Sequence, residues 1–357
     1  VSVSISRTLT ASLTLFMGLA GLLVAGCQPD ADILKQQAVA GDTLPSNFPI
    51  PAYALETNPP DRATFELGRT LFYDPRLSRT GDVSCGSCHQ QFVAFAHADH
   101  RVSHGVDGLL GPRNAPALQN LRWRRELLWD GGAKNLETMP LAPLTNPVEM
   151  DETLDNVLKK LNADADYQRR FAKIYGKSPI DSYQFLRALA QFTAALTSAN
   201  SRYDHHVRGE AGGQLSEPEL RGRALLAQKC TPCHSTDLFT DETYRNNGLD
   251  REFSADSGRA HITNVTQDRG LFKVPSLRNV TKTAPYMHDG RFATLAEVLA
   301  HYNHGVQVSP TLDPMLRRPN RQLGIPLTAQ EQADLLAFLE TLTDTEFLQD
   351  RRLAERQ

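Results

Sequence analysis

Two short stretches carry the chemistry: CGSCH at Cys85–His89 and CTPCH at Cys230–His234. Each reads Cys-x-x-Cys-His. A single Cys-x-x-Cys is ambiguous, since it serves as a redox dithiol or as half of a zinc site. Two copies, each followed directly by histidine, fit covalent c-type haem best. Cys85 and Cys88, like Cys230 and Cys233, would hold a porphyrin by thioether bonds, with His89 and His234 as the proximal iron ligands. The chain has 5 cysteines, and the fifth is Cys27, so none is left for a structural disulfide. Structural zinc is the competing reading.

The elements around these motifs must come from a chain of 357 residues, 40% apolar, with a formal net charge of −3. That is enough for two globular domains, and the acidic balance argues against a nucleic-acid partner. After Arg7 the run ASLTLFMGLAGLLVAGC ends at Cys27. It is too short for a comfortable transmembrane helix and reads as an export signal over residues 1–27, its VAGC end similar to a bacterial lipobox. An ordinary signal peptide with an incidental cysteine is the plainer alternative. Residues 28–47 read as a polar tether. The expected location is the periplasm, held by a lipid anchor, with Gln28 favouring the outer membrane.

The chain also repeats itself. APALQN at Ala115–Asn120 matches VPSLRN at Val274–Asn279, and WDGGAKNL at Trp129–Leu136 matches HDGRFATL at His288–Leu295, both at a spacing of 159 residues. The two Cys-x-x-Cys-His motifs are 145 residues apart, so 14 extra residues fall in the second half, within Asp237–Gly270, which reads as a surface loop. Helices are expected after the Ser216 cap with Pro218 in the first turn, over DETLDNVLKKL with Leu154, Val157, Leu158 and Leu161 on one face, and over Ser182–Ser198. Another follows a Thr328–Glu331 capping box, with Leu335, Leu339 and Leu342 as its apolar stripe. The fold class is mainly α: two cytochrome c-like haem domains related by an internal repeat, with long irregular loops. The join at Arg208–Leu215 places the domains at 48–207 and 208–357.

LGRTLFYDPRLSRTGDVSCGSCH, GPRNAPALQN, LLWDG, NPVEM, FKVPSLRNV and APYMHDG together resemble the bacterial di-haem cytochrome c peroxidase and MauG superfamily, from about Leu67 to Leu342. The resemblance implies an N-terminal haem that reacts with hydrogen peroxide and a C-terminal haem that stores or relays an electron. It places the second haem's distal ligand 14 residues after His288, at Tyr302, where conventional peroxidases have Met and the MauG branch has Tyr. His301, His304 and Met287 are rivals for that iron, and a packed core aromatic is the plain reading of Tyr302. Carried back by the repeat, Tyr302 falls on Pro143, which has no group that binds iron, so the first haem is the reactive one. A phenolate is hard and anionic, favours oxidised iron and lowers its potential.

The resemblance assigns Glu149 as the distal acid–base residue, whose carboxylate can move a proton between the two peroxide oxygens; a helix-entrance Glu is the bland alternative. Met139 stands where the family often has Gln and cannot donate a hydrogen bond. His104 matches a loop histidine that caps the reactive haem in resting conventional peroxidases, a role at odds with Tyr302. His97 and His100 read as solvated. Trp129 lies at the family's bridging position between haems, while Trp123 has weaker support, its neighbouring arginines being candidates for haem propionates. Asn114, Thr283 and Pro285 match an inter-haem Ca²⁺ site, or are simply turn residues.

The expected function is that of a MauG- or MbnH-like oxidoreductase, in which peroxide generates a high-valent di-haem state that oxidises a side chain of a secreted partner protein. The alternative is a conventional cytochrome c peroxidase fed by a small cytochrome or cupredoxin. A non-catalytic di-haem carrier is a third reading, against which Glu149 and Pro143 argue.

Overall fold

Two helix pairs form the frame. Arg62–Phe72 packs on Ser182–Ala194, and Glu217–Lys229 packs on Ala329–Glu340. A computed structural model describes residues 1–2 and 44–356. Most of the expected signal, with Cys27 and tether residues 28–43, lies outside the described residues. Within each pair a glycine sets the approach: a Cβ on Gly68 would overlap the carbonyl oxygen of Ala188, and one on Gly222 would overlap that of Asp334. Side-chain caps start the helices where the sequence places them. Ser216 with Glu219 and Thr328 with Glu331 form capping boxes, and Thr153 accepts from the Asn156 amide. The chain is mainly helical. Among the described residues the one sheet is the antiparallel pair Tyr244–Arg245 and Phe272–Lys273, with Tyr244 opposite Lys273.

Two apolar cores fill the frame. One gathers Phe65, Phe72, Phe95, Phe185 and Phe192, and the other Tyr203, Phe239, Leu335 and Phe338. Backbone features recur at the spacing of the sequence matches. Asn120 and Asn279 are both left-handed, Leu128 and Met287 both take positive φ, and the bridge Leu127–Ala133 has its counterpart in Tyr286–Phe292. Asparagine tolerates that region; leucine and methionine do so only where surrounding structure holds them.

Several observations differ from the sequence expectations. The second core begins before residue 208, because Tyr203 is buried in it and donates through its amide to the Thr341 carbonyl. Phe347 and Leu353, from the end of the described chain, return to the first core. The helix expected over Ser182–Ser198 stops at Ala194, since Ser198 is taken up by Asn120, Asn279 and Asp344. Asn47 is not free tether: its amide donates to both Asp204 and Asp237 at 3.0 Å. Asp237–Gly270 is more than a surface loop, as Asp256 pairs with Arg113 and Arg259 pairs with Glu126, so this segment clasps the first half.

Candidate active site

The first Cys-x-x-Cys-His forms one helical turn, Cys85–Cys88, with His89 as its C-cap. The second follows the helix Glu217–Lys229 without a break. In both, histidine Nδ1–H donates to a backbone carbonyl: His89 to Phe95 at 2.8 Å and His234 to Phe239 at 2.9 Å. That bond fixes the tautomer whose Nε2 carries the metal-binding lone pair. Burial holds the His89 imidazole down to about 4, against the raising effect of the Phe95 bond, and lowers His234 likewise. Both are therefore neutral ligands at pH 7. Burial raises the Cys85 thiol to about 12 and Cys230 to about 11. Among the described residues no three His, Cys, Asp or Glu side chains are arranged to hold a metal ion. The residues present fit two separate thioether-linked haems.

A cavity of about 910 Å³ opens over the first motif, lined by Cys85, Cys88 and His89. Its other walls bring together most of the residues singled out from sequence: Glu149, Met139, Pro143, Trp129, Asn114, Thr283 and Pro285. Glu149 is half-buried, and its Oε1 accepts from Ser103 Oγ at 3.1 Å. Burial raises its carboxyl above the ordinary range, opposed by hydrogen bonds from Ser103 and Asn146. Sequence reasoning missed Ser103, although it directly precedes His104. Met139 is buried in the first core while still touching the cavity, leaving an apolar wall there.

Trp129 is bolted to the seam between the halves. Its Nε1–H donates to the Asn114 carbonyl at 2.9 Å, and the Asn114 amide donates to the His288 carbonyl at 2.7 Å. His288, the repeat partner of Trp129, stacks on Phe272 at 3.7 Å. Trp123 is elsewhere: it is buried, donates to the Pro49 carbonyl and packs edge-on against Phe48. Asn114, Thr283 and Pro285 offer neutral oxygens only, and the Asn114 amide nitrogen is given to the carbonyls of His100 and Arg101.

The loop histidines are sorted by burial. His104 is exposed, and its backbone carbonyl lies 3.4 Å from Cys88 Sγ, while the neighbours Ser103 and Gly105 line the cavity. His97 is buried, not solvated, and stacks on exposed His100 at 4.2 Å. The loop is held by Glu149 itself, whose carbonyl accepts from the Val106 amide at 2.8 Å.

On the second side, Tyr302 sits in a π-turn over His301–Gly305, a geometry that recurs at functional sites. Burial raises its hydroxyl to about 12, with a hydrogen bond to Asn247 pulling the other way and the thiols of Cys230 and Cys233 close enough to add to the rise. The rivals are otherwise engaged. His301 Nε2 lies 3.0 Å from the Asn247 carbonyl, His304 is exposed, and Met287 lines the first cavity with its sulfur accepting from Asn247.

Comparison with known proteins shows the family. The family model of di-haem cytochrome c peroxidase matches residues 62–212. The methylamine utilization protein MauG of Methylorubrum extorquens is 35% identical over 302 residues, covering 84% of this chain and 82% of that one. Cytochrome c551 peroxidase of Nitrosomonas europaea is 33% identical over 306 residues, covering 84% and 85%. A crystal structure of a MauG-like protein associated with microbial copper homeostasis superposes with a TM-score of 0.79 at 36% identity, covering 87% of this chain and 97% of that one. The chain belongs to the di-haem cytochrome c peroxidase and MauG family, and is a haem oxidoreductase.

Proposed function

We propose that this chain is the MauG type of di-haem oxidase, with two haem domains related by duplication, and that it uses hydrogen peroxide to oxidise a side chain of a secreted partner protein. The observation that carries this reading is Tyr302. Its buried hydroxyl lies on the side of Cys230 and Cys233, while His301, His304 and Met287 are engaged or turned elsewhere. Haem supplies redox iron that takes two electrons' worth of oxidation from peroxide.

The protein's own residues supply the rest. Glu149, half-buried and held by Ser103, takes a proton from one peroxide oxygen and returns it to the departing one. Pro143 offers that wall no group that binds iron, and Met139 offers it no hydrogen-bond donor. On this reading His104 stays off the first iron in the resting protein, giving a form that needs no prior reduction. Trp129, fixed by Asn114 at the seam, is placed to pass an electron between the halves. Asn114, Thr283 and Pro285 share the cavity wall and suit a weakly held Ca²⁺ through neutral oxygens. Export and lipid anchoring through Cys27 remain part of this proposal.

Peroxide added to the fully oxidised protein without reductant should give a long-lived near-infrared band. Rapid turnover with reduced cytochrome c, seen only after half-reduction, would favour the conventional peroxidase instead. Tyr302→Met should raise the second haem's potential; an unchanged potential would remove Tyr302 from the iron.

A further inference from the structure

The chain has 2 tryptophans, and Trp123 is buried and does not line the cavity, so a further aromatic step beyond Trp129 would fall to another residue type. Tyr244 is the one packed on its turn. Lys273 donates its amide to the Trp129 carbonyl at 2.8 Å and faces Tyr244 across the two-stranded sheet. Gly131, two residues beyond Trp129, has positive φ, and a Cβ there would overlap the Tyr244 hydroxyl. Nothing but glycine fits between the Trp129 turn and that phenol.

The phenol also has a proton acceptor. Tyr244 Oη–H donates to Glu126 Oε2 at 2.7 Å. Burial alone would raise the Glu126 carboxyl, but hydrogen bonds from Lys134, Tyr244 and Arg259 outweigh it and bring it down to about 2, so it stays ionised. Two cations face the ring, Arg259 at 4.1 Å and Lys273 at 4.7 Å from its centroid. A cation over an aromatic face penalises positive charge on that ring. Electron loss from Tyr244 must therefore be accompanied by proton loss, and Glu126 is in place to receive it.

Resting on the di-haem oxidase reading, we propose that Tyr244, with Glu126 as its proton acceptor, is a redox relay that carries oxidation from Trp129 to the partner protein. Peroxide is reduced to water by two electrons and two protons. For each electron, Tyr244 gives one electron toward Trp129 and its phenolic proton to Glu126, becoming a neutral tyrosyl radical. An oxidisable side chain of the partner then returns one electron to Tyr244 and releases its own proton to solvent, while Glu126 hands the phenolic proton back, so the carboxylate is free again for the second electron. Tyr167 and Tyr203 also donate to carboxylates, Asp74 and Asp237, but both are buried in the cores and face no partner. Tyr53 donates to Glu137, away from the Trp129 turn. Tyr244 is half-buried.

The test uses the two-haem protein, hydrogen peroxide alone, and freeze-quench electron paramagnetic resonance, with optical spectra of the same samples. The wild type should show a tyrosyl signal that narrows when the tyrosines are ring-deuterated. Tyr244→Phe, which keeps the packed ring, should abolish the signal and lengthen the life of the optical oxidised state. Glu126→Gln should weaken the signal at least several-fold with Tyr244 intact, while Tyr53→Phe should leave it unchanged. A tyrosyl signal that survives Tyr244→Phe, or none in the wild type although the optical state forms, overturns the relay alone. Failure of the optical state to form overturns both the relay and the oxidase reading.

Discussion

Asp204→Asn should cost this protein far more than an ordinary charge substitution. Arg278 and Asp204 form a two-pronged ion pair, Nη1 to Oδ2 at 2.8 Å and Nη2 to Oδ1 at 2.7 Å, with both side chains 0% exposed. Arg278 also donates to the Asp237 carbonyl and lies 4.3 Å from the Phe48 ring, so one guanidinium ties together the entering chain and the second half. Removing the negative partner leaves a buried cation uncompensated, a loss of about 3–5 kcal/mol. Against a total stability on the order of 5–15 kcal/mol this is a large fraction. With roughly 2–4 °C per kcal/mol for chains of this size class, the melting temperature should fall by at least about 6 °C. Burial works to raise the Asp204 carboxyl, but Arg278 overrides it and brings it to about 2. A depressed value stabilises the fold above the ordinary carboxylate range and loses that contribution as pH falls through about 2. Acid unfolding should therefore flatten in Asp204→Asn. Guanidinium unfolding of the haem-loaded protein, followed by far-ultraviolet circular dichroism, measures the difference. The double variant Asp204→Asn/Arg278→Met should recover part of it by removing the unpaired cation, while the Ser201 and Asn47 donors keep an acceptor in the asparagine oxygen. A single-variant loss under about 1 kcal/mol would show that Asp204 does not compensate a buried charge here.

Other consequences are directly measurable. Glu149→Gln should slow the reaction with peroxide by about 10²–10⁴-fold in stopped-flow measurements, with haem content unchanged. Because burial raises the Glu149 carboxyl, the wild-type rate should fall on acidification at a pH above the ordinary carboxylate range, and the variant should lose that limb. His104→Ala should leave the resting spectrum of the first haem and its peroxide reactivity unaltered if the ring stays off the iron as proposed; a new open-site spectrum would show that His104 binds iron. Gly68→Ala and Gly222→Ala should each destabilise, although Gly→Ala inside a helix ordinarily gains about 1 kcal/mol, because each Cβ meets a carbonyl of the partner helix. Thermal melts of both variants check this.

Helix starts were legible because they are local: a Ser or Thr and a Glu three residues on suffice for the caps at Ser216 and Thr328. The haem motifs were legible for the same reason, their ligands lying within five consecutive residues. Helix ends and domain edges were not. Ser198 leaves its helix for partners as distant in sequence as Asp344, and Tyr203 joins a core made mostly of residues beyond 225. Such long-range pairings leave no mark in a local window. The cavity walls depended on the resemblance. Glu149, Trp129 and Asn114 are separated along the chain and meet only once folded. Ser103 escaped because a serine beside a histidine has no spacing signature of its own.

The return of Phe347 and Leu353 to the first core bears on how the molecule can be made. A fragment cut after residue 200 would expose a vacant slot where two large apolar side chains belong, forfeiting roughly 1.5–3 kcal/mol for each. The core beside the first cavity is thus completed by residues far along the chain from its other members. A fragment ending near residue 200 would carry that core unfinished, and added protease should cut it faster than the longer chain.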